Sequence, residues 1–132
     1  MVKDRRPAPF PAERTTTMPQ YAAVIYSKDV DWTLPEHADE MEGYGEFGQA
    51  AAAIIRGGAA LYPTTTATTV RVQGGKGGDV VTTDGPYTET KDALTGFYIL
   101  ECDDLDHAVA TAAKIPAAWS GAVEVRPIIP MG

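Results

Sequence analysis

One cysteine, Cys102, stands in a chain of 132 residues, so neither an intramolecular disulfide nor a multi-cysteine zinc site can form. Histidine is nearly as scarce. His37 and His107 lie far apart without the short spacing that metal ligation uses, and neither a metal nor a cofactor is expected. Positive charge is also in short supply: 11 Lys and Arg face 18 Asp and Glu, for a formal net charge of −7. Such a molecule repels phosphate backbones and anionic lipid surfaces, which argues against nucleic acid and membrane as partners. No apolar run approaches the ~20 residues a membrane helix needs, and no early segment joins a basic start to an apolar stretch of signal-peptide length. These absences lead to the expectation of a cytoplasmic protein. The glycine-rich residues 74–78 lack phosphate-loop spacing and a following Ser or Thr, and they join two strand-like runs, so a flexible hairpin tip is expected there.

What is present suits one globular domain, with 44% hydrophobic and 22% charged residues. Residues 1–19 hold Pro7, Pro9, Pro11 and Pro19 with few apolar side chains, and are expected to form a flexible tail ahead of a domain over 20–130. Residues 21–27 read as a central strand. Thr33-Leu34-Pro35-Glu36 has capping-box spacing, and Met41, Tyr44, Phe47, Ala51 and Ile55 then recur at helical intervals until Gly57-Gly58 supplies a stop. Gly43, Gly45 and Gly48 weaken that helix, which predicts a bend or a close neighbour. Residues 66–73 and 79–83 form a hairpin, and 95–102 a further strand with Phe97, Ile99 and Glu101 on one side and Tyr98, Leu100 and Cys102 on the other. Asp103 or Asp104 caps a second helix carrying Leu105, Ala108, Val109 and Ala112, Pro116 ends it, and 121–128 is the last strand. The order is that of a ferredoxin-like βαββαβ fold of the α+β class with an extra hairpin. Such a sheet leaves one apolar face uncovered, so a homodimer is expected.

The segment Asp84-Gly85-Pro86-Tyr87-Thr88-Glu89-Thr90-Lys91, followed by Leu94, Gly96-Phe97-Tyr98 and the closing Val123-Glu124-Val125-Arg126-Pro127, resembles the DGPF group of the YciI-related family. The likeness runs from about Tyr21 to Ile128. It implies a dimeric α+β barrel in which two sheets pair face to face around shared clefts. Members of this group are regarded as companions of extracytoplasmic-function sigma factors, so the resemblance also suggests a protein partner of that kind.

In that family a histidine on the first helix and an aspartate near the turn form a candidate catalytic pair. Asp84 matches the aspartate; the histidine position is best matched by Tyr44, a poor base at neutral pH. Asp84 can serve as a general base, or its carboxylate can simply bond the backbone of its own turn. Tyr87, Glu89 and Lys91 follow as candidate ligand-binding residues, with Lys91 able to hold an anionic group, and Arg126 joins them as a cleft cation or one half of an intersubunit ion pair. His37, near the helix start, is expected to cap or to face solvent, and Cys102, beside Asp103 and Asp104, to be a small core residue rather than a nucleophile. Two function classes follow: a binding or regulatory accessory module for a small polar or acidic ligand, and a small enzyme using Asp84.

Overall fold

The computed structural model describes residues 18–131; residues 1–17, where the sequence predicts most of a flexible tail, lie outside the described residues. Its elements are β1 (Gln20–Ser27), α1 (Ala38–Ala50), β2 (Ile55–Ala60), β3 (Thr68–Gln73), β4 (Asp79–Asp84), β5 (Ala93–Glu101), α2 (Leu105–Ala112), α3 (Ala117–Ser120) and β6 (Ala122–Pro127), with 3₁₀ turns at Pro35–His37 and Thr64–Thr66. The fold is of the α+β class. Four strands form an antiparallel sheet in the order β2-β5-β1-β6, and β3 pairs only with β4 in a separate two-stranded sheet. β1 lies inside the sheet, as its apolar character predicts.

Strand alternation decides what each face does. Tyr21, Ala23, Ile25 and Ser27 of β1 are buried while the residues between them are half-buried, so the first set faces the helices. Tyr21, Ala23 and Ile25 join Leu100 from β5, Phe47 from α1, and Cys102, Ala108, Ala112, Ile115 and Ala117 from the segment around α2 and α3 in one core. Register puts Ala22, Val24 and Tyr26 beside Ile99, Phe97 and Leu94 on the opposite face, where Glu124 and Arg126 of β6 also stand. Among the described residues no helix covers that face.

Several local expectations change. Thr33 does not cap α1; its amide and hydroxyl both donate to Asp31 Oδ1, at 2.9 and 2.6 Å, closing a turn before the helix and holding the Asp31 carboxyl below its ordinary range. α1 ends at Ala50, and Ile55-Arg56-Gly57-Gly58 begins a strand rather than finishing a helix. Gly43 gives α1 its close neighbour, because a Cβ there would come within 3.2 Å of Pro116. The acidic cap of the second helix is Asp104, whose Oδ1 accepts from His107 N–H at 2.9 Å. α2 stops at Ala112, and Pro116 opens the short α3.

The β3–β4 hairpin stands apart from the main sheet. Gly85 N–H donates to Ala67 O at 2.8 Å and Thr69 Oγ1 to Gly85 O at 2.8 Å, which closes its base. Val70, Val72 and Val80 share one of its faces and are all exposed, Val80 at 67%. Among the described residues no helix is long and apolar enough to cross a membrane.

Candidate functional site

Between α1 and the β2–β5 half of the sheet lies a pocket of about 270 Å³, lined by apolar and aromatic side chains. Its floor exists because the strands carry almost nothing there. Gly58 and Ala60 on β2 stand opposite Tyr98 and Gly96 on β5, and all four contribute to the lining. The glycines also let the two backbones approach closely: a Cβ on Gly58 would lie 2.5 Å from Phe97 O, and one on Gly96 2.7 Å from Ala59 O. α1 supplies Met41 and Tyr44, one turn apart on the same helix face, and the loop after β1 supplies Trp32.

That loop is anchored. The Asp29 carboxylate accepts from the amide of Thr64 at 2.8 Å and from its hydroxyl, tying the β1–α1 loop to the β2–β3 connection. Trp32 packs on His37 with ring centroids 4.9 Å apart and planes at 51°. His37 is only 8% exposed and makes no capping hydrogen bond, which corrects the expectation of a capping or solvent-facing residue. Its ring nitrogens lie 3.6 Å from Glu36 and 3.8 Å from Glu40, beyond hydrogen-bond reach, so its main visible work is to hold the indole.

The pocket's polar groups are few. Burial raises the pKa of Tyr44, with Tyr98 adding to the rise and a backbone hydrogen bond from Ala117 opposing it; burial likewise raises Tyr98. Both phenols are therefore neutral donors rather than bases. Thr95 Oγ1 is already engaged with Ser27 Oγ at 2.7 Å. Trp32 Nε1 is shielded from solvent and has no acceptor among the described residues.

Of the residues that the sequence nominates, Tyr44 lines this pocket. Asp84, Tyr87, Glu89, Lys91 and Arg126 do not. Asp84 ends β4 with an exposed carboxylate that makes no hydrogen bond among the described residues, so the turn is held by backbone and by Thr69 rather than by the aspartate. Tyr87 is 75% exposed, its ring 5.8 Å from the Arg71 guanidinium. Glu89 and Lys91 are exposed, as is Arg126 on the open face of the sheet. No cluster of three or more metal-ligating side chains occurs among the described residues. Cys102 is fully buried and its thiol pKa is raised, chiefly by desolvation and further by Asp103 and Asp104, as a core cysteine requires. Sequence reasoning passed over Trp32, Met41 and the Gly58, Ala60 and Gly96 floor. The signal for the floor was a run of small residues flanking a strand, which reads equally well as a helix stop.

Comparison with known proteins adds two findings. The family model described as "YCII-related domain" matches residues 16–132. An uncharacterized protein, R00369 of Rhizobium meliloti (strain 1021), is 42% identical over 72 residues, which cover 53% of this chain and 56% of the relative. The matched part is thus little more than half of that curated relative's length.

Proposed function

The chain belongs to the YCII-related domain family, and from that premise we propose that it is a homodimeric module that binds a small molecule in the pocket beneath α1. The observation that carries this reading is the pocket itself: a concave, largely apolar site whose lining includes Trp32, Tyr44 and Tyr98. Binding is favoured over catalysis because the lining includes neither a carboxylate nor an imidazole, while Asp84 stands on the hairpin. The acidic ligand suggested by Lys91 and Arg126 finds no cation in that lining. An uncharged ligand suits it better.

Support for the dimer comes from the uncovered sheet face. The strand order β2-β5-β1-β6 is that of a ferredoxin-like fold, and its open side offers Val24, Tyr26, Phe97 and Ile99 beside Glu124 and Arg126. In a two-fold arrangement each charge meets its opposite across the axis while the apolar centre closes against its copy. Sheet-to-sheet pairing of this kind would make the α+β barrel that the family resemblance implies.

A thermal-shift screen of uncharged aromatic fragments tests the binding reading, with Ala60→Leu as a filled-pocket control. Fragments should stabilise the wild-type protein and lose that effect on the variant, without being consumed. Equal stabilisation of both proteins would place the binding elsewhere, and turnover of a fragment would replace the binding reading with an enzymatic one.

A further inference from the structure

The β3–β4 hairpin turns its apolar side away from its own chain. Directly opposed residues share a face, so Val70, Val72 and Val80 stand with Thr82 on one side of the ribbon, and Thr69, Arg71 and Val81 on the other. The second side is the one the chain contacts. Thr69 Oγ1 donates to Gly85 O at 2.8 Å, the Arg71 guanidinium lies 5.8 Å from the centre of the Tyr87 ring, and Val81 is half-buried. The valine side faces water, with Val70 61%, Val72 44% and Val80 67% exposed.

A two-stranded ribbon is marginal by itself and needs a further strand or a packed face to hold it. Here β3 and β4 pair only with each other, and among the described residues nothing covers the three valines. The size of the open sheet face points to a second copy as the cover. Four strands of about six residues span roughly 20 by 20 Å, about 400 Å², which falls short of the ~800 Å² per partner that a standard interface buries. One ribbon face on the same dimensions is about 200 Å², so each protomer's own arm and the surface beneath its partner's arm together make up the difference. Apolar surface also leads from one region to the other. Exposed Leu61 and Tyr62 lie in the β2–β3 connection, and exposed Leu94 stands opposite Tyr26 on the open face where β5 begins.

We infer that the β3–β4 hairpin is an arm that lays its Val70, Val72 and Val80 face on a second copy of this chain, beside the sheet-to-sheet contact. This rests on the homodimer reading above and extends its interface beyond the sheet. The hydrogen bond from Gly85 N–H to Ala67 O at 2.8 Å and that of Thr69 tie the ribbon down at its base, so its outer half takes its support from the partner.

The test compares the full chain with a triple variant, Val70→Thr, Val72→Thr and Val80→Thr, by sedimentation equilibrium over a dilution series. Threonine keeps the branched shape and strand preference of valine and adds a hydroxyl. Facing water these hydroxyls cost almost nothing, whereas beneath a partner they are desolvated on both arms, and the dimer dissociation constant should rise roughly a hundredfold. Thr83→Ser, on the other side of the ribbon, should leave it unchanged. Hydrogen exchange of the wild type gives a reading that needs no variant: amides in the outer half of the hairpin should gain protection as concentration rises through the dissociation constant. A wild-type chain that stays at 14.0 kDa throughout would overturn the dimer reading and the arm with it. A dimer that the triple variant forms with unchanged affinity, or whose hairpin amides exchange alike at every concentration, would keep the sheet interface and overturn the arm, leaving the valine face to another molecule.

Discussion

Ser27 Oγ and Thr95 Oγ1 lie 2.7 Å apart in the interior, joining residues 68 positions apart at the point where the β1–β5 register slips. Ile25 stands opposite Gly96 and Tyr26 opposite Leu94, so Thr95 is the extra residue of a β-bulge. The bulge turns Thr95 inward beside Gly96, and both are buried at the edge of the pocket. Truncating either hydroxyl strands the other. Ser27→Ala or Thr95→Val should each lower unfolding free energy by about 1–2 kcal/mol. The double variant should cost less than the two single losses together, because no unpaired hydroxyl remains. Urea denaturation of the three proteins measures the coupling, and strict additivity would show that the hydroxyls act independently.

The open sheet face gives a second prediction. Val24 sits at its centre with Glu124 on the neighbouring strand. Light scattering should give twice the 14.0 kDa chain mass for the wild type. Val24→Glu would set two carboxylates side by side on the closing surface and should yield a folded monomer. A Val24→Glu dimer of wild-type affinity would move the interface to another surface.

At the hairpin base the backbone matters more than the aspartate. Gly85 has φ +102°, a conformation costly for any side chain. Gly85→Ala should destabilise by about 1 kcal/mol or more. Asp84→Ala, by contrast, removes an exposed carboxylate without a hydrogen-bond partner among the described residues and should stay within about 0.5 kcal/mol. Thermal melts of the two variants compare them directly. A larger loss for Asp84→Ala would reveal a charge partner, and the general-base role the sequence suggests would regain its footing.

Alkaline pH should separate the buried phenols from an ordinary tyrosine. Tyr44 and Tyr98 have folded-state pKa values raised above 10.0, first of all by burial. Their contribution to stability is therefore complete below the unfolded value and lost as pH rises through the folded ones. In a spectrophotometric titration, part of the tyrosinate signal should emerge late, and Tyr98→Phe should remove a share of that late signal. Cys102 follows the same sign, so an alkylating reagent should leave the native thiol unmodified at pH 8 and label it on unfolding.

The sequence carried the larger elements well, since the β-forming apolar residues of β1, the alternation of β5 and the Asp104 cap each rest on local chemistry that tertiary packing did not override. It lost β2. Ile55-Arg56-Gly57-Gly58-Ala59-Ala60 has almost none of the β-branched or aromatic character that marks a strand, and its pairing depends on Gly58 and Gly96 letting backbones come close, which only the partner strand reveals. Helical spacing from Met41 to Phe47 then ran on by coincidence through Ala51 to Ile55. The candidate site was legible only at Tyr44. Trp32 lies in a loop where composition predicts no contact, and its meaning comes from His37 and from an anchor between Asp29 and Thr64 that spans 35 positions.

β2 and β5 are neighbours in the sheet although the whole β3–β4 hairpin intervenes between them in sequence. Mechanically, that hairpin is an elaborate turn. Loop closure becomes only slowly more expensive as a connection lengthens, so segments can be gained or shed there while the register of β2 against β5 and the pocket floor they share remain unchanged. Lengthening or shortening the hairpin tip at residues 74–78 should therefore leave the chamber under α1 unchanged.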